Sequence, residues 1–170
     1  MTDINIVNDA ESYRHHFDNI FVGGIPKFFT EEAAFLSFVS MLTAIEALAG
    51  LMAPKQTTGE RFQNFIKQYF PPEYSPITEK LWAFRNTMIH SFSPGDCLIS
   101  CHTSRLHLKD VNGALFLNAE NLFGAFLHAS NAYFDKLEND QQLKNNFVFR
   151  INQIGGGAPV SYAIHDSRVS

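Results

Sequence analysis

The stretch Arg85-Asn86-Thr87-Met88-Ile89-His90 holds the residue types with which a protein can cut an RNA phosphodiester without a metal. Such a cut needs a base to take the 2′-hydroxyl proton and a fixed positive charge beside the phosphorane-like transition state. Histidine is the side chain that exchanges protons near neutral pH, so His90 is the candidate base. Arginine stays charged and can hold two phosphate oxygens at once, which suits Arg85. Asn86 would orient the histidine or bind a phosphate oxygen. Glu46, in an earlier apolar stretch, would pair with Arg85 and set its angle. The plainer alternative is that Arg85 and Glu46 form only an interhelical ion pair.

Spacing sets a geometric problem. Five residues along a straight helix are about 140° and 7.5 Å apart, so Arg85 and His90 do not share one face within a chain. A helix that frays before His90, as Ser91-Phe92-Ser93-Pro94 permits, would relieve the mismatch.

The elements that must position these residues are mostly helical. Asp9 to Ile20 reads as a first helix, capped by Asn8 or Asp9, with Tyr13, Phe17 and Ile20 inward. Gly23-Gly24-Ile25-Pro26 ends it. Thr30 starts a second helix reaching Met52, apolar nearly all round as a central helix must be. A third helix opens at Thr57-Thr58-Gly59-Glu60 and runs to Tyr69 before Pro71-Pro72. Ser75-Pro76 introduces the fourth, Ile77 to His90, with Leu81, Phe84 and Met88 on its inner stripe. Cys97 to His102, Arg105 to Val111 and Ala114 to Leu117 read as three short antiparallel strands, the last two joined by a tight Asn112-Gly113 turn. A last long helix covers Glu120 to Glu138. Residues 1–146 form one domain in this reading. Residues 147–170 form an extension in which Phe147 to Ile151 adds a strand or docks, followed by a disordered tail from Gly155-Gly156-Gly157.

With these elements in place, Arg85-Asn86-Thr87-Met88-Ile89-His90 resembles the Arg-x4-6-His signature of the HEPN superfamily, in which Asn commonly follows the Arg. Ala44-Ile45-Glu46-Ala47-Leu48 resembles the apolar-Glu-apolar stretch of that family's second helix, and the likeness spans roughly Glu31 to Leu137. The resemblance implies a mainly α, up-and-down bundle of four to five helices, here with a three-strand antiparallel insert before the last long helix. It also implies a metal-independent endoribonuclease working as a homodimer, in which two copies of Arg85, Asn86 and His90 share a cleft, supported by Glu46. The products would be a 2′,3′-cyclic phosphate and a 5′-hydroxyl, and the setting defence or a toxin–antitoxin system with a separate antitoxin-like protein. The strand insert departs from the simplest family pattern. An alternative within the family is a catalytically inactive module that binds a nucleotide, RNA or a protein partner. No cofactor is expected.

Composition narrows the classes further. A formal net charge of -4 denies the molecule a general grip on phosphate backbones, so any nucleic-acid contact must be local. Charged residues make up 18 %, below the roughly 25 % of an average domain, while Phe occurs 17 times, a surplus that favours a dimer or partner surface. Two cysteines make no disulfide framework, and the first residues lack a signal-peptide pattern, so the cytoplasm is expected. Ala33 to Met52 is about long enough to cross a bilayer, but Ser37, Ser40, Thr43 and Glu46 interrupt it, and a buried helix rather than a membrane span is expected.

Other constellations are weaker. Strand alternation puts Cys97 and Cys101 on one face and His102 on the other, so these and His107 do not converge as zinc ligands; buried thiols and surface imidazoles are expected. Arg14-His15-His16 reads as solvated helix surface, with an RNA path as its rival. Phe28, Phe29, Phe35, Phe38, Phe62 and Phe65 read as core or dimer surface rather than base-stacking platforms. The glycine-rich stretch at 155–157 lacks the Lys-Ser/Thr and helix of a phosphate loop.

Overall fold

The computed structural model describes residues 6–154. Among these the chain is mainly helical, with six α-helices and one small sheet: α1 (Ile6–Phe17), α2 (Ala34–Met52), α3 (Thr58–Tyr69), α4 (Thr78–Ser91), β1 (Cys97–Ser100), β2 (Asp110–Val111), β3 (Ala114–Asn118), α5 (Ala119–Leu137) and α6 (Gln141–Gln153). Helix α2 is the axle. It packs against α3, α4, α5 and α6, and one continuous core runs from Tyr13 to Ile151. By length and composition α2 would also suit a bilayer, yet most of its apolar window is buried against the other helices.

Local chemistry accounts for the helix boundaries. Thr57 and Glu60 form a capping box: the Thr57 hydroxyl accepts the Glu60 N–H at 3.4 Å and the Glu60 carboxylate accepts the Thr57 N–H at 3.0 Å. Thr30 accepts the Ala33 N–H at 3.2 Å, so it caps a turn that precedes α2, and Glu31 and Glu32 lie in that turn rather than in the helix. Ser75-Pro76 sits in a 3-10 segment, Pro72–Ile77, that leads directly into α4. Asn8 and Asp9, expected as the cap of the first helix, lie inside α1. A single π turn, Asp18–Val22, follows α1, and its wider pitch leaves Ile20 38 % exposed instead of inward.

The sheet differs from expectation. Its order is β1-β3-β2, with β1 parallel to β3 and β2 antiparallel to it, so the insert is mixed rather than antiparallel throughout. The chain reverses between β1 and β2 and again between β2 and β3, as in a meander; what differs is that β3, not β2, lies beside β1. His102 has a φ of 61°, its N–H is held by the Glu120 carboxylate at 2.9 Å, and a 3-10 turn at Ser104–Leu106 takes up the start of the expected second strand, of which only Asp110–Val111 pairs. Asn112 and Gly113 have φ of 55° and 87°, the left-handed pair that a tight hairpin requires.

His107 fastens the insert to the bundle. Its Nδ1 accepts the Asn118 N–H at 3.0 Å, which leaves the Nε2 proton to donate to the Tyr74 hydroxyl at 2.7 Å. The ring is therefore held neutral, and burial pushes its pKa down from 6.5, with the Glu73 carboxylate opposing. The folded state then binds a proton less readily than the unfolded chain, so the contribution to stability is present above about pH 6.5 and is lost as pH falls toward the depressed folded value. We predict that the urea midpoint drops between about pH 7.5 and about pH 5, and that His107→Gln removes part of that drop. An identical pH dependence in the variant would contradict this assignment.

Residues 147–153 form no strand but dock on the domain, the other expected outcome, as the continuation of a helix. Helix α6 crosses the expected boundary without a break, opened by Asp140, whose carboxylate accepts the Leu143 N–H at 3.0 Å. Leu143, Phe147 and Ile151 recur at a spacing of four and are buried in the common core. Phe147 meets the Tyr13 ring edge-on at 5.7 Å. The expected tail from Gly155 lies outside the described residues.

Candidate functional site

Arg85 is the most tightly bonded side chain of the candidate set. Its Nε donates to Glu46 Oε2 at 2.7 Å, and Nη2 donates to the same oxygen. Nη1 donates to Asn86 Oδ1 at 3.1 Å and to His90 Nε2 at 3.2 Å. The guanidinium carbon stands 5.3 Å from the centre of the Trp82 ring, a cation–π contact one turn back along α4. Arg85 and Glu46 keep only 12 % and 23 % of their side-chain surface, so the pair is largely shielded from screening by salt. Helices α2 and α4 thus fix the arginine from two sides, and the expected Glu46–Arg85 pair is present.

His90 is exposed on the last turn of α4. A guanidinium only donates, so Nε2 carries the lone pair in this arrangement and the proton of the neutral ring sits on Nδ1. The meeting of Arg85 and His90 within one chain corrects the expectation that they could not share a face. The helix does not fray before His90, since α4 continues through Ser91. The long arginine side chain spans the angular gap, Nη1 reaching His90 Nε2. The end of α4 is also widened, because the Thr87 carbonyl accepts the N–H groups of both Phe92 and Ser93, the latter at 3.2 Å. Phe92 takes the left-handed conformation at φ 53°, which costs a non-glycine residue about 1 kcal/mol. Its stack on Phe35, with centroids 5.1 Å apart, offsets part of that cost.

The cluster lies on an open face. A cavity of about 440 Å³ lies between α1, α5 and α6, lined by Glu11, Arg14, Phe134, Leu137, Glu138 and Lys144 among others, and includes none of Glu46, Arg85, Asn86 and His90. Its lining contains no histidine, the side chain that exchanges protons near neutral pH, so the candidate site remains Arg85 and His90. Phe92, two residues beyond His90 and stacked on Phe35, is 82 % exposed, and Leu36, the residue after Phe35, is 48 % exposed.

The other candidates resolve into structural roles. Arg14 donates to Asp135 and Asn131 at 3.0 Å each and tethers α1 to α5. Cys97 and Cys101 are buried, as expected, and among the described residues no group of three or more His, Cys, Asp or Glu is placed to hold a metal. His102 is exposed, but His107 is half-buried, which corrects its expected place on the surface. Phe38, Phe62 and Phe65 are core, whereas Phe35 reaches the surface stack with Phe92. Burial, reinforced by Asp96 and opposed by Lys80, pushes the Cys97 thiol up to about 11. At neutral pH this leaves about a hundredfold less thiolate than in a free thiol. Cys97 should therefore react with an aromatic disulfide reagent only after unfolding; fast reaction in the native protein would show that the sheet edge opens.

Sequence reasoning missed Trp82, although its position three residues before Arg85 on one helix was signal enough. It also missed Arg61 and Arg150, which approach Glu46 and Gly50 from α3 and α6. Nothing in their spacing announces that convergence. No protein-family model, curated protein or solved structure matches this chain.

Proposed function

We propose that this chain is a metal-independent endoribonuclease of HEPN type that acts as a homodimer in a defence or toxin–antitoxin setting. The observation that carries the reading is the hydrogen bond from Arg85 Nη1 to the unprotonated Nε2 of an exposed His90, with Glu46 and Asn86 holding the arginine behind it. A fixed cation and an available base lie within one phosphate group of each other. That is the minimum for transesterification by a neighbouring 2′-hydroxyl.

In the reaction His90 Nε2 takes the 2′-hydroxyl proton while the 2′-oxygen attacks phosphorus. Arg85 turns its Nη1 donors from the imidazole to the non-bridging oxygens, where charge accumulates. Glu46 keeps the Nε edge in place throughout. The bond from phosphorus to the 5′-oxygen breaks, its electron pair stays on that oxygen, and a proton from water or from the second copy's imidazole completes the 5′-hydroxyl. The phosphate remains as a 2′,3′-cyclic diester. Homodimerisation is supported by the exposed Phe92, two residues beyond His90, and by the exposed Leu36 next to its stacking partner Phe35, since a second copy seated there would turn an open face into a cleft.

The test is to incubate the purified chain with total RNA in excess chelator and to analyse the new ends. Fragments bearing 2′,3′-cyclic phosphates are expected; RNA that stays intact at high enzyme concentration ends the nuclease reading. A second reading, a module that binds nucleotide, RNA or a protein partner without cutting, is favoured by one feature: Arg85 already occupies the basic nitrogen of His90. Under that reading the chain protects RNA or ignores it, and His90→Ala changes neither outcome.

A further inference from the structure

Two half-buried arginines lie one helical turn from Glu46. Arg61 reaches from α3 and Arg150 from α6, and they meet above Gly50 of α2. A Cβ placed on Gly50 would lie 3.4 Å from Arg150 Nε, 3.8 Å from Arg150 Nη2 and 3.8 Å from the Arg61 guanidinium carbon. The three atoms nearest to such a Cβ, outside the helix's own backbone, are therefore all guanidinium atoms. Glycine inside a buried helix costs about 0.5–1 kcal/mol relative to alanine, so this position trades helix stability for room.

Charge is poorly balanced there. Burial and the neighbouring Arg150 push the Arg61 pKa down, and Glu46 opposes them. Glu46, however, already accepts twice from Arg85 through one oxygen. Among the described residues no carboxylate forms an ion pair with Arg61 or Arg150. Arg61 Nε is buried without an acceptor, and Arg150 spends Nη1 on the Gln153 side chain at 2.6 Å. Bringing two like charges together and leaving a buried donor unsatisfied is costly unless an anion joins them.

We infer that Arg61 and Arg150, above Gly50, form a second anion-binding subsite that holds a backbone phosphate of single-stranded RNA next to the phosphate acted on at Arg85 and His90. Positions 46 and 50 are about 6 Å apart along α2, a span of the order of one nucleotide step. The track runs from Arg85 on α4, past Glu46 and Gly50 of α2, toward Arg150 on α6. This explains how a chain with net charge of -4 can hold RNA: its grip is local, made of three arginines against one glutamate. The placement of this phosphate relative to the scissile one rests on the ribonuclease reading above, whereas the subsite itself does not.

A fluorescent single-stranded RNA methylated at every 2′-oxygen cannot be cut, so its anisotropy reports binding by the full chain independently of cleavage. Arg61→Gln and Arg150→Gln are each expected to weaken binding about tenfold at low salt. Each should also flatten the slope of log affinity against log salt by about 0.7, the value of one lost phosphate contact. Lys27→Gln, which removes an exposed charge elsewhere, is the control and should leave that slope intact. Wild-type affinity and slope in both arginine variants, with unchanged circular dichroism, would overturn the proposal. So would failure of the wild type to bind the RNA, or binding of polyglutamate in its place through the same arginines. Arginine-dependent binding without any cleavage of unmodified RNA would sustain the subsite and defeat only the nuclease reading.

Discussion

His90→Ala is expected to yield a folded protein whose RNA cleavage is about 10²–10⁴-fold slower than wild type, the usual contribution of a positioned general base. The size of the effect follows from what remains. Arg85 keeps Glu46 and Asn86, so the electrostatic half of the site survives, but the 2′-hydroxyl loses its proton acceptor. Stability should change little, within about 0.5 kcal/mol, because His90 is exposed and its side-chain hydrogen bond is the one from Arg85. Initial cleavage rates and urea unfolding on the same preparation separate the two effects. Equal rates for wild type and variant would remove His90 from the chemistry; equal losses of activity and stability would make it a structural residue.

Arg85 should behave differently, because it serves both fold and site. Arg85→Ala strands Glu46 in a largely buried position with its carboxylate unpaired, at a cost of about 3 kcal/mol, and it also removes the cation from the transition state. Arg85→Lys is the informative companion. The ammonium can still neutralise Glu46 and so recover much of the stability, but it lacks the fork that grips the carboxylate along one edge and phosphate oxygens along the other. Cleavage should remain more than about a hundredfold below wild type although the protein melts normally. A double-mutant cycle with Glu46→Ala gives the coupling directly, expected between about 1 and 3 kcal/mol. If Arg85→Ala proves as stable as wild type, the ion pair contributes nothing and Arg85 is held by Trp82 and packing alone.

Both expectations depend on a site assembled at two levels. The types and order of residues from Arg85 to His90 are written in one stretch of chain, and the partnership with Glu46 was legible because a lone carboxylate in an apolar helix must face some cation. The angle between Arg85 and His90 was not legible. Ideal helix geometry separates them, and the contact between Nη1 and Nε2 depends on side-chain conformations that the spacing does not fix.

What the amino-acid order determined by itself is whatever acts over a few residues: the capping box at Thr57, the Asn112-Gly113 turn, the apolar completeness of α2 and the composition of the Arg85–His90 stretch. These depend on steric limits and hydrogen bonds between near neighbours, which do not change with the surroundings. The tertiary structure decided the rest. The parallel pairing of β1 with β3, the helical state of Phe147 to Ile151 and the approach of Arg61 and Arg150 over Gly50 all join segments far apart in the chain. The run Phe147-Val148-Phe149-Arg150-Ile151 suits a strand as well as a helix, and burial of Leu143, Phe147 and Ile151 against a core already made by other helices selects between them. Local preference is worth tenths of a kcal/mol per residue, whereas burying one large apolar side chain is worth about 1.5–3, so where the two compete, packing prevails.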